Sequence, residues 1–503
     1  MSSELGLSVQ LTAPNGRSFE LPTGLFIDNE FVKGSKGETL TSIDPGTATE
    51  IAKVHAASQD DVNKAVNAAR AALKNPEWKK ISGSERGQLM ARLADLIEES
   101  KEVLATIEAW DNGKPYTVAL DEDLNECISV IRYYSGWADK IHGQTIGTLQ
   151  NKLAYTLRQP IGVCGQIIPW NYPLSMACWK LGPALACGNA VVLKPAENTP
   201  LSILYLATLI KKAGFPPGVV NIVNGTGSEA GSAICEHKDV DKVAFTGSTA
   251  TARSIMKMAA GTLKNITLET GGKSPLLVFP DAELDQAVKW SYFGIMSNQG
   301  QVCTSTSRII VHDDIYDEFI KQFVEQVKTT KIGPQFEADS FHGPQVSKAQ
   351  FDRILAYIEQ GKKESATLAY GGEDLSSKYN GGYFITPTVF TDVTSDMKIY
   401  REEIFGPVVV IRRFSEEAQA LEYANELEYG LGAAVFTRDI QRAHRIASEF
   451  ESGMVWINSS QDADATTPFG GVKQSGIGRE LGEAGLEAYS QVKTVHLNLG
   501  SRL

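Results

Sequence analysis

One cysteine sits in a setting that could make it reactive. Cys303 falls within Ser297-Asn298-Gln299-Gly300-Gln301-Val302-Cys303-Thr304-Ser305-Thr306-Ser307-Arg308, a polar, glycine-containing stretch. It lies between a helical pattern over 284–296 and the apolar run Ile309-Ile310-Val311. Such a junction leaves a side chain reachable, with backbone N–H groups beside it, and a reachable thiolate is a nucleophile. A cysteine taken alone is usually a small core hydrophobe, so thiol chemistry needs partners elsewhere. Glu269 ends the run Ile266-Thr267-Leu268 just before Gly271-Gly272, and Asn171 stands between Trp170 and Tyr172. By residue type alone these are a strand-end carboxylate and a turn residue. Lys194 with Glu197 and Glu402 with Glu403 read equally well as solvated charges. Gly247-Ser248-Thr249-Ala250-Thr251-Ala252 follows an apolar run ending at Phe245 and opens a helix. Its small residues and first-turn N–H groups suit a pyrophosphate. It is not GxGxxG, and an ordinary glycine turn with a Ser or Thr cap fits as well.

The elements that must position these residues show as an alternation. Short apolar runs over 163–168, 190–193, 219–223 and 243–245 are bounded by glycine or proline, with helical segments over 173–186, 201–213 and 228–235 between them. That rhythm predicts βαβ units and a mostly parallel sheet. Ligands of such sheets bind at the carboxyl ends of strands, where the candidate residues fall. A second α/β region follows Ser274, with strands expected over 308–311, 408–412, 433–436 and 454–457 and helices over 315–329, 350–360, 416–425 and 440–450. Residues 459–468 form a polar, irregular loop.

The N-terminal third reads as helical layers after a strand-rich entry. Leu25-Phe26-Ile27 and Phe31-Val32 flank Asp28-Asn29-Glu30, a hairpin pattern; an alanine-rich helix is expected over 61–73. Ser82-Gly83-Ser84-Glu85 fits a capping box. The helix it opens carries the stripe Leu89, Leu93, Leu96, Ile97 and Leu104. Nothing in this third reads as carrying chemistry. From 143 to 158 the pattern Thr145, Ile146, Thr148, Leu149, then Ala154-Tyr155-Thr156-Leu157 after Gln150-Asn151-Lys152, predicts a hairpin.

The chain has 503 residues and a formal net charge of -12. The length allows roughly two to four domains, each able to bury a core. The acidity argues against nucleic acid or an anionic membrane as partner, and no apolar run is long enough to span a bilayer. Met1-Ser2-Ser3-Glu4 opens no secretory signal. The six cysteines are scattered without a CxxC pair, which points to a reducing compartment. The seven histidines lack HExxH spacing, so no catalytic metal is expected.

Gln299-Gly300-Gln301-Val302-Cys303 resembles the nucleophile segment of the NAD(P)-dependent aldehyde dehydrogenase superfamily. The resemblance continues in order through Pro169-Trp170-Asn171-Tyr172-Pro173, Lys194-Pro195-Ala196-Glu197, Phe245-Thr246-Gly247-Ser248-Thr249, Leu268-Glu269-Thr270-Gly271-Gly272-Lys273 and Glu402-Glu403-Ile404-Phe405-Gly406-Pro407. It spans about Phe26 to about Val495. It implies an α/β fold with a Rossmann-like NAD-binding domain over 1–142 and 159–273 and a second α/β catalytic domain over 274–475. A small β hairpin over 143–158, with the tail 476–503, would pair across subunits into a homodimer or homotetramer.

The resemblance also implies roles. The Cys303 thiolate adds to an aldehyde. Asn171 and the Cys303 N–H support the oxyanion, the hemithioacetal gives hydride to NAD, and Glu269 activates water against the thioester. The coenzyme site is implied at Ile168, Pro169 and Trp170; at Lys194, Glu197 and Gly227; at Phe245, Gly247, Ser248, Thr249 and Ala252; and at Gly271, Gln350, Arg353, Glu403 and Phe405. Lys194 and Glu197 would bind the adenosine ribose, and Glu403 the nicotinamide ribose. A carboxylate at 197 accepts from a 2′-hydroxyl and repels a 2′-phosphate, which favours NAD over NADP. Ala250, Thr251 and Ala252 depart from the family's glycine-ending motif, and Thr270 stands where leucine is common.

A rival is a CoA-acylating aldehyde dehydrogenase, against which Glu269 argues. A rival of another class is a non-catalytic protein on the same fold, against which the presence of Cys303, Glu269 and Asn171 together argues. Tyr172, Trp179, Val302, Thr304 and the loop near Asp462 and Asp464 are expected around the aldehyde tunnel. Aromatics and carboxylates there suit a cationic aminoaldehyde, and aromatic or aliphatic aldehydes equally. The terminal Ser501-Arg502-Leu503 resembles the Ser-Lys-Leu peroxisomal signal, so the expected address is the peroxisome or the cytoplasm.

Overall fold

The computed structural model describes residues 5–500; Ser501-Arg502-Leu503 lies outside the described residues. Continuous apolar strands between apolar helices must be buried on both faces, and the first sheet is built that way. Its eight strands run, in spatial order, Gly476–Ile477, Asn265–Glu269, Lys242–Thr246, Val163–Ile167, Ala190–Lys194, Val220–Ile222, Leu25–Ile27 and Glu30–Val32. The five strands from Asn265–Glu269 to Val220–Ile222 are parallel. Alternate residues enter different cores: Val191 and Leu193 pack with Leu204 and Leu185, Ala190 and Val192 with Val62 and Val66.

After Val163–Ile167 the chain continues on one side to Ala190–Lys194 and returns on the other to Lys242–Thr246. The carboxyl end of Val163–Ile167 is therefore the switch point where such sheets hold ligands. Residues 168–172 occupy it.

The second sheet has seven strands, ordered Thr367–Tyr370, Thr388–Thr391, Val408–Phe414, Arg308–His312, Pro275–Val278, Gly432–Phe436 and Met454–Ile457. All neighbours are parallel except the Thr367–Tyr370 edge. The sequence reading missed Pro275–Val278 and the pair over 367–391. A third sheet joins Ser490–Asn498, Lys152–Pro160 and Thr145–Ile146 antiparallel. The tail thus pairs with the hairpin of its own chain. Gly476–Ile477, which the sequence groups with that tail, adds antiparallel to Asn265–Glu269 in the first sheet.

The local signals act where they were read. The Leu25–Ile27 and Glu30–Val32 hairpin turns through Asp28 and Asn29 at φ 56° and 64°, a pair that matches the twist of its strands. Ser82 and Glu85 form a capping box, and so do Ser58 and Asp61, which starts the first helix at Gln59. The stripe ending at Leu104 is a correction. The helix Gly83–Glu99 stops at Ser100, and Leu104 belongs to the next helix, Lys101–Asn112. A periodic apolar pattern cannot reveal a one-residue break when both helices bury the same side. No helix among the described residues is long and apolar enough to cross a membrane.

Candidate active site

Cys303 is set by a backbone that only certain residues allow. The helix Leu284–Met296 ends into a tight turn in which Asn298, Gln299 and Gly300 take φ of 46°, 58° and 70°. A Cβ on Gly300 would lie 2.2 Å from the Gly406 carbonyl, so the turn presses against the 405–407 backbone. Further on, Thr304 is clamped by Gln461: the Thr304 hydroxyl donates to Gln461 Oε1 at 2.5 Å, and Gln461 Nε2 returns a bond to the Thr304 carbonyl at 3.0 Å. Buried Arg308 holds the start of the next strand by donating to the carbonyls of Lys273, Tyr423 and Ala424. Between these anchors Cys303 is a free thiol, partly open to a cavity of about 400 Å³.

Glu269 ends its strand directly beside Thr246, the last residue of the neighbouring strand, and lines the same cavity. Its backbone carbonyl accepts from the Gly247 N–H at 3.1 Å. The carboxyl is buried, and burial first, then the negative Glu480, pushes its pKa up to about 8. Burial, then the Glu269 charge, lifts the Cys303 thiol well above its usual range. The two side chains face each other within reach of a hydrogen bond. Behind Glu269, Lys180 donates to Glu480 at 2.5 Å and to Thr246 at 2.7 Å. Thr270, where leucine is common in the family it resembles, donates its hydroxyl to the Gln474 carbonyl at 2.7 Å and so ties this segment to the 473–475 turn.

Asn171 follows the central strand and is buried. Its Nδ2 donates to the Gln301 carbonyl at 2.9 Å, two residues before Cys303. Cys303, Glu269 and Asn171, scattered along the chain, therefore converge on one cavity.

The residues expected to hold coenzyme separate into two groups. Pro169, Trp170, Gly247, Ser248, Gly271, Gln350, Arg353, Glu403 and Phe405 line the cavity itself. Glu403 accepts from the Gly272 N–H at 3.0 Å. A Cβ on Gly271 would fall 2.1 Å from the Glu403 carboxylate, so a larger residue there would push that carboxylate aside. Burial raises the Glu403 pKa to about 7. Gln350 and Arg353 donate to the carbonyls of Phe405 and Glu403, and the Phe405 ring meets Trp170 edge-on at 5.2 Å. Ser248 caps the helix Thr249–Ala259, whose positive end faces the cavity.

The second group lies at the end of Ala190–Lys194. There Glu197 accepts from the Gly227 N–H at 2.5 Å, with the Lys194 ammonium 3.9 Å away. Ile168, Phe245, Thr249 and Ala252 do not line the cavity. The first two are core residues that shape the turns, Thr249 donates to the Gln474 carbonyl, and Ala252 packs inward. A capped helix end, a carboxylate held on glycine backbone and a second carboxylate fixed by an N–H together fit a dinucleotide.

Tyr172, Trp179, Val302 and Thr304 line the cavity, and so does the loop near Asp462 and Asp464, through Gln461 and Ala463, while the two aspartate side chains turn elsewhere. The Asp462 carbonyl accepts from Trp456 Nε1, and Asp464 closes its own turn by accepting from Thr466. Besides Glu269 and Glu403, the cavity is lined by the carboxylates of Glu122, Asp123 and Glu126. They come from the N-terminal third, which the sequence reading treated as scaffold alone. Their signal was hidden because a π-helical turn, Ala119–Asp123, leads into the helix Leu124–Trp137 and shifts the register that periodicity relies on.

Residues 31–495 match the model of the aldehyde dehydrogenase family. The chain belongs to the aldehyde dehydrogenase family. It is 55% identical over 486 residues to an aldehyde dehydrogenase of Emericella nidulans, covering 96% of this chain and 97% of that one. It is 50% identical over 489 residues to aldehyde dehydrogenase [NAD(P)+] 1 of Saccharomyces cerevisiae, covering 96% of each. The NAD+ complex of an aldehyde dehydrogenase from Bacillus cereus superposes with a TM-score of 0.94 at 50% identity, over 95% of this chain and 97% of that one. As an aldehyde dehydrogenase, this chain is an enzyme of NAD-dependent aldehyde oxidation.

Proposed function

We propose that oxidation runs through an acyl thioester on Cys303, with Asn171 as oxyanion donor and Glu269 as base. The observation that carries this reading is the convergence of these three side chains on one cavity. The Cys303 thiol loses its proton to solvent, and the thiolate adds to the aldehyde carbon. The oxygen that becomes negative is met by Asn171 Nδ2 and the Cys303 N–H, each such donor contributing about 3–4 kcal/mol to the barrier. Bound NAD supplies the hydride acceptor, held by Glu403 and Gly271 at one end and by Glu197 and Lys194 at the other. Glu269 then takes a proton from water, hydroxide adds to the thioester, and the carboxylic acid leaves with Cys303 restored. Glu197 favours a free 2′-hydroxyl, hence NAD over NADP. Resolution by CoA is disfavoured, since a base for water is already built beside the sulfur.

The test is rapid mixing with NAD and a panel of aldehydes, followed by acid quench and mass spectrometry of the Cys303 peptide. An acyl adduct that forms with the NADH burst and decays in water is expected. No adduct, or one that decays only with CoA and yields acyl-CoA, refutes the scheme.

Assembly as a homodimer or homotetramer fits the small third sheet, on which Ile146, Leu149, Val492 and Leu497 are all at least 40% exposed. Sedimentation checks it. The Ser501-Arg502-Leu503 ending supports a peroxisomal address over a cytoplasmic one in a cell that reads that signal. A tagged enzyme imaged with and without these residues decides; diffuse staining of both makes the tripeptide an accident.

A further inference from the structure

The last turn of the helix Lys101–Asn112 is polar yet wholly buried: Glu108, Asp111 and Asn112 have no exposure, nor does Lys114 just beyond. Buried polar groups are costly unless satisfied, and two of these, Asn112 and Lys114, reach the segment 170–172 of the active site. Asn112 Nδ2 donates to the Trp170 carbonyl at 2.6 Å and to the Asn171 carbonyl at 3.3 Å. Asn112 Oδ1 accepts from the Lys114 N–H at 3.2 Å, which fixes which end of the amide faces the loop. Lys114 pairs with Asp123 and stands 4.0 Å over the Tyr172 ring. From the opposite side Asn298, in the nucleophile turn, donates to the same Asn171 carbonyl at 3.1 Å and to Gln301 at 3.2 Å. Residues 169–172 have no regular secondary structure. The sheet ladder therefore does not aim Asn171.

We infer that Asn112, a residue of the N-terminal third, is a positioning residue for the oxyanion donor: it orients Asn171 by holding the carbonyls of Trp170 and Asn171. The inference rests on the reading of Asn171 as that donor. An oxyanion donor works only if it points at the oxygen after the carbon becomes tetrahedral, and small misplacements cost large factors in rate. Replacing the Asn112 amide with an acceptor would set negative charge against two carbonyls and turn the peptide.

The experiment is a cycle of native enzyme, Asn112→Asp, Asn171→Ala and the double variant. The NADH burst rate is read with saturating NAD. Iodoacetamide alkylation of Cys303 is read in parallel, because that displacement develops no oxyanion. Asn171→Ala should slow the burst by about 10²–10³-fold, and Asn112→Asp by about 10–100-fold. Alkylation should stay within about twofold of native in Asn112→Asp, and the Asp substitution should add less than about threefold once Asn171 is gone. A native burst in Asn112→Asp overturns the inference. So does an alkylation rate that falls in step with the burst, or an undiminished Asp penalty in the Asn171→Ala background. A silent Asn171→Ala refutes the oxyanion reading itself and takes this inference with it. If Asn112→Asp yields no folded enzyme, Asn112→Ser, uncharged and retaining one donor, enters the same cycle: coupling to Asn171→Ala supports the inference and additivity overturns it.

Discussion

Raising the pH from about 7 to about 8 should speed thioester hydrolysis about fivefold, because the base is mostly protonated at neutrality. Burial and the Glu480 charge hold the Glu269 pKa at about 8. A group with that pKa is about 9% ionised at pH 7 and about half ionised at pH 8, with about another twofold to the plateau. Since only the carboxylate can take a proton from water, the rate rises with pH and falls on acidification. The assay is decay of a preformed acyl-enzyme, made by mixing with one equivalent of NAD and aldehyde, then jumped in pH. Following decay alone removes the thiol, whose pKa is also raised, from the profile. Glu269→Gln should keep a burst but lose this limb and most of the decay rate. Glu480→Gln removes a negative charge from behind the base and should move the limb to lower pH. A flat decay rate from about pH 6.5 to 9, or a limb displaced upward in Glu480→Gln, refutes the reasoning.

Cys303→Ala should abolish dehydrogenase activity while leaving Tm and NAD binding near native, since a partly open, small side chain contributes little packing; calorimetry and fluorescence titration check both. Glu197→Ser should narrow the preference for NAD over NADP by removing a carboxylate that would face the 2′-phosphate, read as the ratio of kcat/KM values. Native enzyme that prefers NADP would contradict it. Glu122→Gln and Glu126→Gln should lower kcat/KM for amino-substituted aldehydes about three- to tenfold relative to neutral ones of the same length. The Glu126 effect should fade on acidification, because burial raises its pKa to about 7; equal losses on neutral and cationic aldehydes would point to packing instead.

What was legible in the sequence was whatever is written in consecutive residues. The parallel strands over 163–269 show as apolar runs, and the turn that presents Cys303 shows as a glycine between polar residues. The helix Thr249–Ala259, whose first turn faces the cavity, shows as a serine cap. Each is a local consequence of burial or backbone strain, so each appears in a short window. The family pattern then supplied roles for Asn171, Glu269 and Glu403 that their residue types left open. Edge strands such as Thr367–Tyr370 did not show, since an edge is half solvated and carries no continuous apolar run.

The wall of the cavity escaped for a different reason. Glu122, Asp123 and Glu126 look like the solvated face of a helix, and a charge run usually is one. What makes them site residues is the approach of Trp179, whose Nε1 donates to Glu126 at 3.2 Å, and of Lys114, which pairs with Asp123. Asn112 escaped in the same way: it stands at a helix end, where an asparagine needs no special explanation. Its meaning comes from the carbonyls of residues 170 and 171, 58 and 59 positions away. An active site gathers at the ends of strands because polar backbone is free there, but strand ends alone do not aim side chains. Aim comes from neighbours that fill the remaining hydrogen-bond positions, and in this enzyme several of those neighbours belong to the segment whose sequence reads most like scaffold.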